Sequence, residues 1–96
     1  MIVSFGDSAT AECYKTGKVS KGVGWSTIRK IVLRKLDMIA YSNSLDDLKS
    51  PPANRLERLK GKLAGFYSIR VNDQWRIIFR WRDGRGAEVI SVVDYH

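Results

Sequence analysis

The 96-residue chain contains one cysteine and one histidine. Cys13 therefore has no intramolecular disulfide partner, and two such residues are too few for a Cys/His zinc site. Cys13 reads as a small hydrophobe in a helix. Proline is also scarce: the 2 prolines, Pro51 and Pro52, are adjacent. No run approaches the roughly 18 consecutive apolar residues that a membrane-crossing helix needs. The N-terminus lacks the basic, apolar and small-residue plan of a secretion signal. The expectation is a soluble, cytoplasmic protein with no metal, no cofactor and no membrane partner. Acidic residues are few as well. Ten Asp and Glu against 17 Lys and Arg leave a net charge of +7, which favours a polyanionic partner without choosing among nucleic acid, acidic protein and anionic membrane.

What is present suffices for one modest core, so residues 1–96 are read as one domain: 44% of the residues are hydrophobic, with 3 Trp, 4 Tyr and 3 Phe. "MIVSF" opens as a short apolar strand. "GDSATAECYKTGK" follows as a short helix capped by Asp7 or Ser8 and stopped by Gly17. After a basic, glycine-rich loop, Ser26 is the candidate cap of a longer helix reaching about Tyr41. Its apolar positions, Trp25, Ile28, Val32, Leu36 and Ile39, recur at helical spacing, which leaves Arg29, Lys30 and Arg34 on the solvent side. "SLDDLKSPP" is one further helical turn, closed by the prolines.

From there the apolar period falls from 3.6 to 2. In "FYSIRV" Tyr67, Ile69 and Val71 share one face, with Ser68 and Arg70 on the other. In "WRIIFRWR" Trp75, Ile77, Phe79 and Trp81 alternate with Arg76, Ile78, Arg80 and Arg82. A two-residue turn would mix these faces, whereas a loop over 72–74 sets Ile69 opposite Ile77 and Arg70 opposite Arg76. Two facing arginines cost stability unless an anion lies beside them, which is a functional hint. "AEVISVVDY" is nearly continuously apolar and reads as a central strand. That would anchor His96, the only histidine, at a strand end rather than in a frayed tail.

Collected, the residues with chemistry are a carboxylate (Glu57), an ammonium three residues on (Lys60), two guanidiniums (Arg70, Arg76) and the closing Asp94, Tyr95 and His96. Metal-free RNA cleavage needs these types: a base for the 2′-OH, cations for the phosphate oxygens and an acid for the leaving 5′-oxygen. Glu57 is the candidate base, Lys60 and Arg76 the cations, and His96 the proton donor near neutrality. Tyr95 offers a ring on which an unstacked base can lie. Arg55, Lys62, Arg70 and Arg80 are candidates for holding the RNA backbone.

"PPANRLERLKG", "YSIRVNDQWRIIFRW" and "VVDYH", in that order, resemble the HigB toxins of the RelE/ParE toxin superfamily. The resemblance implies an α+β, RelE-like fold: a mixed-edge, mainly antiparallel sheet of four to five strands, completed by the N-terminal strand and packed by two N-terminal helices. It also implies a ribosome-dependent mRNA endonuclease, neutralised by a cognate HigA-type helix-turn-helix antitoxin through which alone operator DNA is bound. Lys60, Arg76, Asp94, Tyr95 and His96 match the motifs of the family. Glu57 is similar instead to the YoeB arrangement, so which of Glu57 and His96 takes the proton and which gives it stays open. The rival readings are a ParE-like toxin that inhibits DNA gyrase and a catalytically dead RNA-binding module.

Overall fold

The computed structural model describes residues 1–95. Helix α1 spans Ser8–Thr16. As expected, the Asp7 carboxylate accepts from the Thr10 amide at 2.7 Å, and Gly17, at φ 75°, ends the helix with a bond to the Cys13 carbonyl. The second helix differs in its start. Ser26 caps nothing; it opens a 3₁₀ turn, Ser26–Ile28, which leads into α2 over Arg29–Tyr41 without a side-chain cap. Burial of Trp25, and a bond from the Ser26 amide to the Val23 carbonyl, set the entry instead. Val32, Leu36 and Ile39 are buried as the spacing requires, while Arg29, Lys30 and Arg34 are exposed.

Four strands follow: β1 Glu57–Arg58, β2 Tyr67–Arg70, β3 Trp75–Arg82 and β4 Gly86–Asp94. They are antiparallel in the order β1-β2-β3-β4. Ile69 lies opposite Ile77 and Arg70 opposite Arg76, the register read from the alternation. The loop at 72–74 is held by the Asn72 side-chain carbonyl, which accepts from the amides of Gln74 and Trp75. Ile69, Val71, Ile77, Phe79, Ala87, Ile90 and Val92 face Cys13, Val32, Leu36 and Ile39 to make one core.

β4 is the last of the four strands, but backbone bonds from the N-terminal segment flank its outer edge, as the apolar run implies. "MIVSF" is, however, no continuous strand: it makes isolated parallel bridges, Ile2 to Ala87 and Phe5 to Ile90. Beyond them the outer edge is closed by side chains. The Ser4 hydroxyl accepts from the Val89 amide, and the buried Thr10 hydroxyl of α1 accepts from the Val92 amide at 3.2 Å. The continuous apolar run has a second explanation. Pairing slips between Ile78 and Arg80, and Val89 sits at φ 53°, so one residue is bulged out. The core face therefore passes from Ala87 to Ile90 and Val92, leaving Val89 40% exposed.

One buried cation escaped the periodicity argument. Lys35 on α2 is only 5% exposed, and its ammonium donates to the side-chain carbonyl of Asn54, which is fully buried. The Asn54 amide in turn donates to the carbonyls of Leu48 and Ser50. Burial pushes the Lys35 pKa down, helped by the positive charges of Arg34 and Arg70. The unfolded chain then holds this proton more tightly than the folded one. The sign follows: between the lowered folded value and the ordinary lysine value, stability rises with pH, and the full cost is present below that window. Denaturant titrations across the alkaline range should show this rise in the native protein and its loss in Lys35→Met; equal slopes for the two would refute it.

Candidate functional site

The helices cover one face of the sheet and the arginines of β2 and β3 occupy the other. Arg76, at the start of β3, is 7% exposed, which is unusual for a guanidinium on a sheet face. A charge stripped of water needs partners, and Arg76 has four. Its Nη1 donates to the Ser68 hydroxyl at 2.8 Å and to the Arg55 carbonyl at 3.4 Å. Its Nη2 donates to Glu57 Oε1 at 3.3 Å, and the Tyr95 ring lies against the guanidinium, 4.8 Å from centroid to Cζ.

Each element delivers one of these groups. β1 pairs Glu57 with Ser68, so the carboxylate and the hydroxyl occupy neighbouring pleats of the same face. Arg55, held left-handed at φ 45° after the 3₁₀ turn Pro52–Asn54, turns its carbonyl toward Arg76. β4 ends at Asp94, and the Tyr95 amide still donates to the Gln74 carbonyl at 2.7 Å, which fixes the ring in place. The Glu57 side chain remains 47% exposed, so this carboxylate is reachable from solvent, as is Tyr95.

The facing arginines are reconciled by one carboxylate each. Arg70 turns to Asp73 in the hairpin loop, and Arg76 turns to Glu57. Lys60 lies exposed just beyond β1, with no side-chain hydrogen bond or ion pair among the described residues; Lys62 is exposed in the next 3₁₀ turn, Gly61–Leu63. Arg80 lies over the Phe66 ring at 4.9 Å. Asp94 stands opposite Trp75 in the register, on the other pleat from Arg76, and accepts from the Gln74 side chain at 3.1 Å. His96 lies outside the described residues. The sequence placed Ser68 on this face, but no local signal marks it as a partner of Arg76, because the bond crosses strands.

A cationic cluster on the open face of a small antiparallel sheet backed by two helices defines a class: the fold is that of the YoeB- and ParE-type bacterial toxins. A YoeB/ParE toxin from Agrobacterium tumefaciens superposes with a TM-score of 0.57 at 19% identity, covering 99% of this chain and 98% of that one. The YoeB–YefM complex from Staphylococcus aureus superposes with a TM-score of 0.55 at 21% identity, covering 100% and 98%. The family is narrower than the fold. A family model described as the RelE-like toxin of the type II toxin–antitoxin system HigB matches residues 3–96. Toxin HigB-1 from Vibrio cholerae serotype O1 is 39% identical over 84 residues, 88% of this chain and 87% of that protein. An uncharacterized protein from Haemophilus influenzae is 50% identical over 58 residues, 60% and 57% of the two chains. The chain belongs to the HigB-like toxin family and is the toxin of a type II toxin–antitoxin system. Among the described residues no helix is long and apolar enough to cross a membrane.

Proposed function

We propose that this toxin is a metal-independent endoribonuclease that cuts mRNA on the translating ribosome and so stops protein synthesis. The observation that carries the reading is Arg76, a desolvated guanidinium aimed by Ser68, Glu57 and the Arg55 carbonyl and backed by the Tyr95 ring. Such a group stabilises charge growing on phosphate oxygens better than a hydrated one, because it needs no reorganisation as the reaction proceeds.

In the proposed mechanism the ribose 2′-oxygen attacks the adjacent phosphorus while Glu57, half in solvent, takes its proton. Arg76 and the exposed ammonium of Lys60 neutralise the non-bridging oxygens. The bond to the 5′-oxygen breaks, His96 supplies that oxygen with a proton, and a 2′,3′-cyclic phosphate and a 5′-hydroxyl remain. Tyr95 stacks a neighbouring base to hold the attacking 2′-oxygen in line. Asp94, tied to Gln74, steadies the end of β4 that carries Tyr95 and His96.

The partner is proposed to be a HigA-type helix-turn-helix antitoxin, through which the pair reaches operator DNA. A toxin of charge +7 suits an antitoxin surface richer in acid. Primer extension on a reporter mRNA in a reconstituted translation reaction tests the nuclease reading. Cuts are expected only with ribosomes present, and none from Lys60→Ala or His96→Ala, both folded by circular dichroism. Intact mRNA beside inhibited gyrase supercoiling would overturn the reading.

A further inference from the structure

Four arginines stand on β2 and β3, and three of them have a carboxylate. Arg70 has Asp73, Arg76 has Glu57 and Arg82 has Glu88 at 3.4 Å. Arg80 is the exception among the described residues. Its cross-strand neighbour in the register is Glu88, but that carboxylate is engaged by Arg82. Arg80 instead lays its guanidinium on the Phe66 ring, 4.9 Å from the centroid, and stays exposed. Tyr67 pairs with Phe79 and the Leu59 amide bonds the Phe66 carbonyl, so Phe66 continues β2 to a position beside Arg80.

A guanidinium placed over a ring has lost rotamer freedom and, being exposed, leaves the side away from the ring to solvent; its charge is cancelled by no side chain among the described residues. That surface suits a nucleobase, which stacks on a flat cation and carries phosphates on its flanks. Arg80 also lies on the same pleat as Arg76, four residues along β3, or about 13 Å at ~3.3 Å per residue. That is several times the ~3.4 Å of one stacked base step. A strand whose scissile phosphate sat at Arg76 would therefore bring a different nucleotide to Arg80.

We propose that Phe66 and Arg80 form a second nucleotide subsite, in which an unpaired base of the RNA flanking the cut stacks on the outer face of the Arg80 guanidinium. The proposal deepens the nuclease reading and rests on it for the identity of the strand, but its test does not need catalysis. The probe is a fluorescein-labelled hexaribonucleotide with 2′-O-methyl riboses, which cannot be cut, bound to the intact toxin and followed by fluorescence anisotropy across a salt series.

Arg80→Lys keeps the charge and loses the plane, and Phe66→Leu keeps the arginine and loses its support. Both are expected to bind about 10-fold more weakly, in keeping with the ~1–3 kcal/mol of one base–aromatic stack, and Arg80→Lys should keep the native salt slope. Thermal melting of each variant within a few degrees of the native protein would exclude misfolding as the cause. Native affinity in Arg80→Lys would mean a phosphate contact only and would overturn the stacking subsite, as would failure of the native toxin to bind the probe at low salt. A native toxin that bound with this pattern yet never cut mRNA would leave the subsite standing and remove the nuclease reading alone.

Discussion

Replacing Arg76 by lysine is expected to lower the rate of message cleavage by about 10²–10³-fold, the loss seen when one aimed donor is removed from a developing oxyanion. Charge is kept in this variant, so the experiment isolates geometry. One ammonium on a flexible stem cannot reach the Ser68 hydroxyl, Glu57 and the Arg55 carbonyl as the fork of Arg76 does, nor can it stack in plane against Tyr95. The loss should appear in the maximal rate and not in the concentration of programmed ribosomes giving half of it, because in the proposed mechanism the contact strengthens only as charge grows on phosphorus. Single-turnover cleavage across a ribosome titration separates the two. A near-native rate in Arg76→Lys would reduce Arg76 to a structural ion pair of the sheet.

Phe79→Ala should produce the largest loss of stability, about 3–5 kcal/mol. Phe79 is fully buried and stacked with Tyr67 at 6.3 Å between centroids, and it stands on β3 between the pairs Ile78–Ser91 and Arg80–Glu88, where β4 carries its bulge. A ring removed there leaves a cavity that the bulge cannot fill, because Val89 points its side chain outward. At ~4–8 °C per kcal/mol for a domain of this size, the melting temperature should fall by roughly 15 °C or more. Bound antitoxin should stabilise Phe79→Ala and the native chain by the same free energy through mass action, so the variant's deficit should persist in melts of the complex. A drop of only a few degrees would mean that the core closes over the vacancy.

Much of this architecture was legible in local pattern. Asp7 and Gly17 bracket α1 because capping is decided within a few residues. The β2–β3 register followed from faces that had to match across a three-residue loop. The three motifs pointed to the family, which the match over residues 3–96 bears out. The register even posed the right question, since it set two arginines side by side.

The answer lay outside any local window. Glu57 reaches Arg76 across 19 residues of sequence, as Lys35 reaches Asn54, and Thr10 reaches Val92 across 82. No periodicity reports such contacts, because they form only when separate elements dock. Val89 at positive φ is the same kind of decision. Apolar residues fill the last strand on both pleats, so alternation could not say which ones face the core until pairing with β3 and the N-terminal bridges placed the bulge. By itself, then, the sequence determined α1, the body of α2, the β2–β3 hairpin register and the toxin family, all of them set by neighbours along the chain. Only the tertiary structure decided that Arg76 is buried and shared while Arg80 is exposed on a ring, since desolvation and pairing depend on what the fold brings alongside.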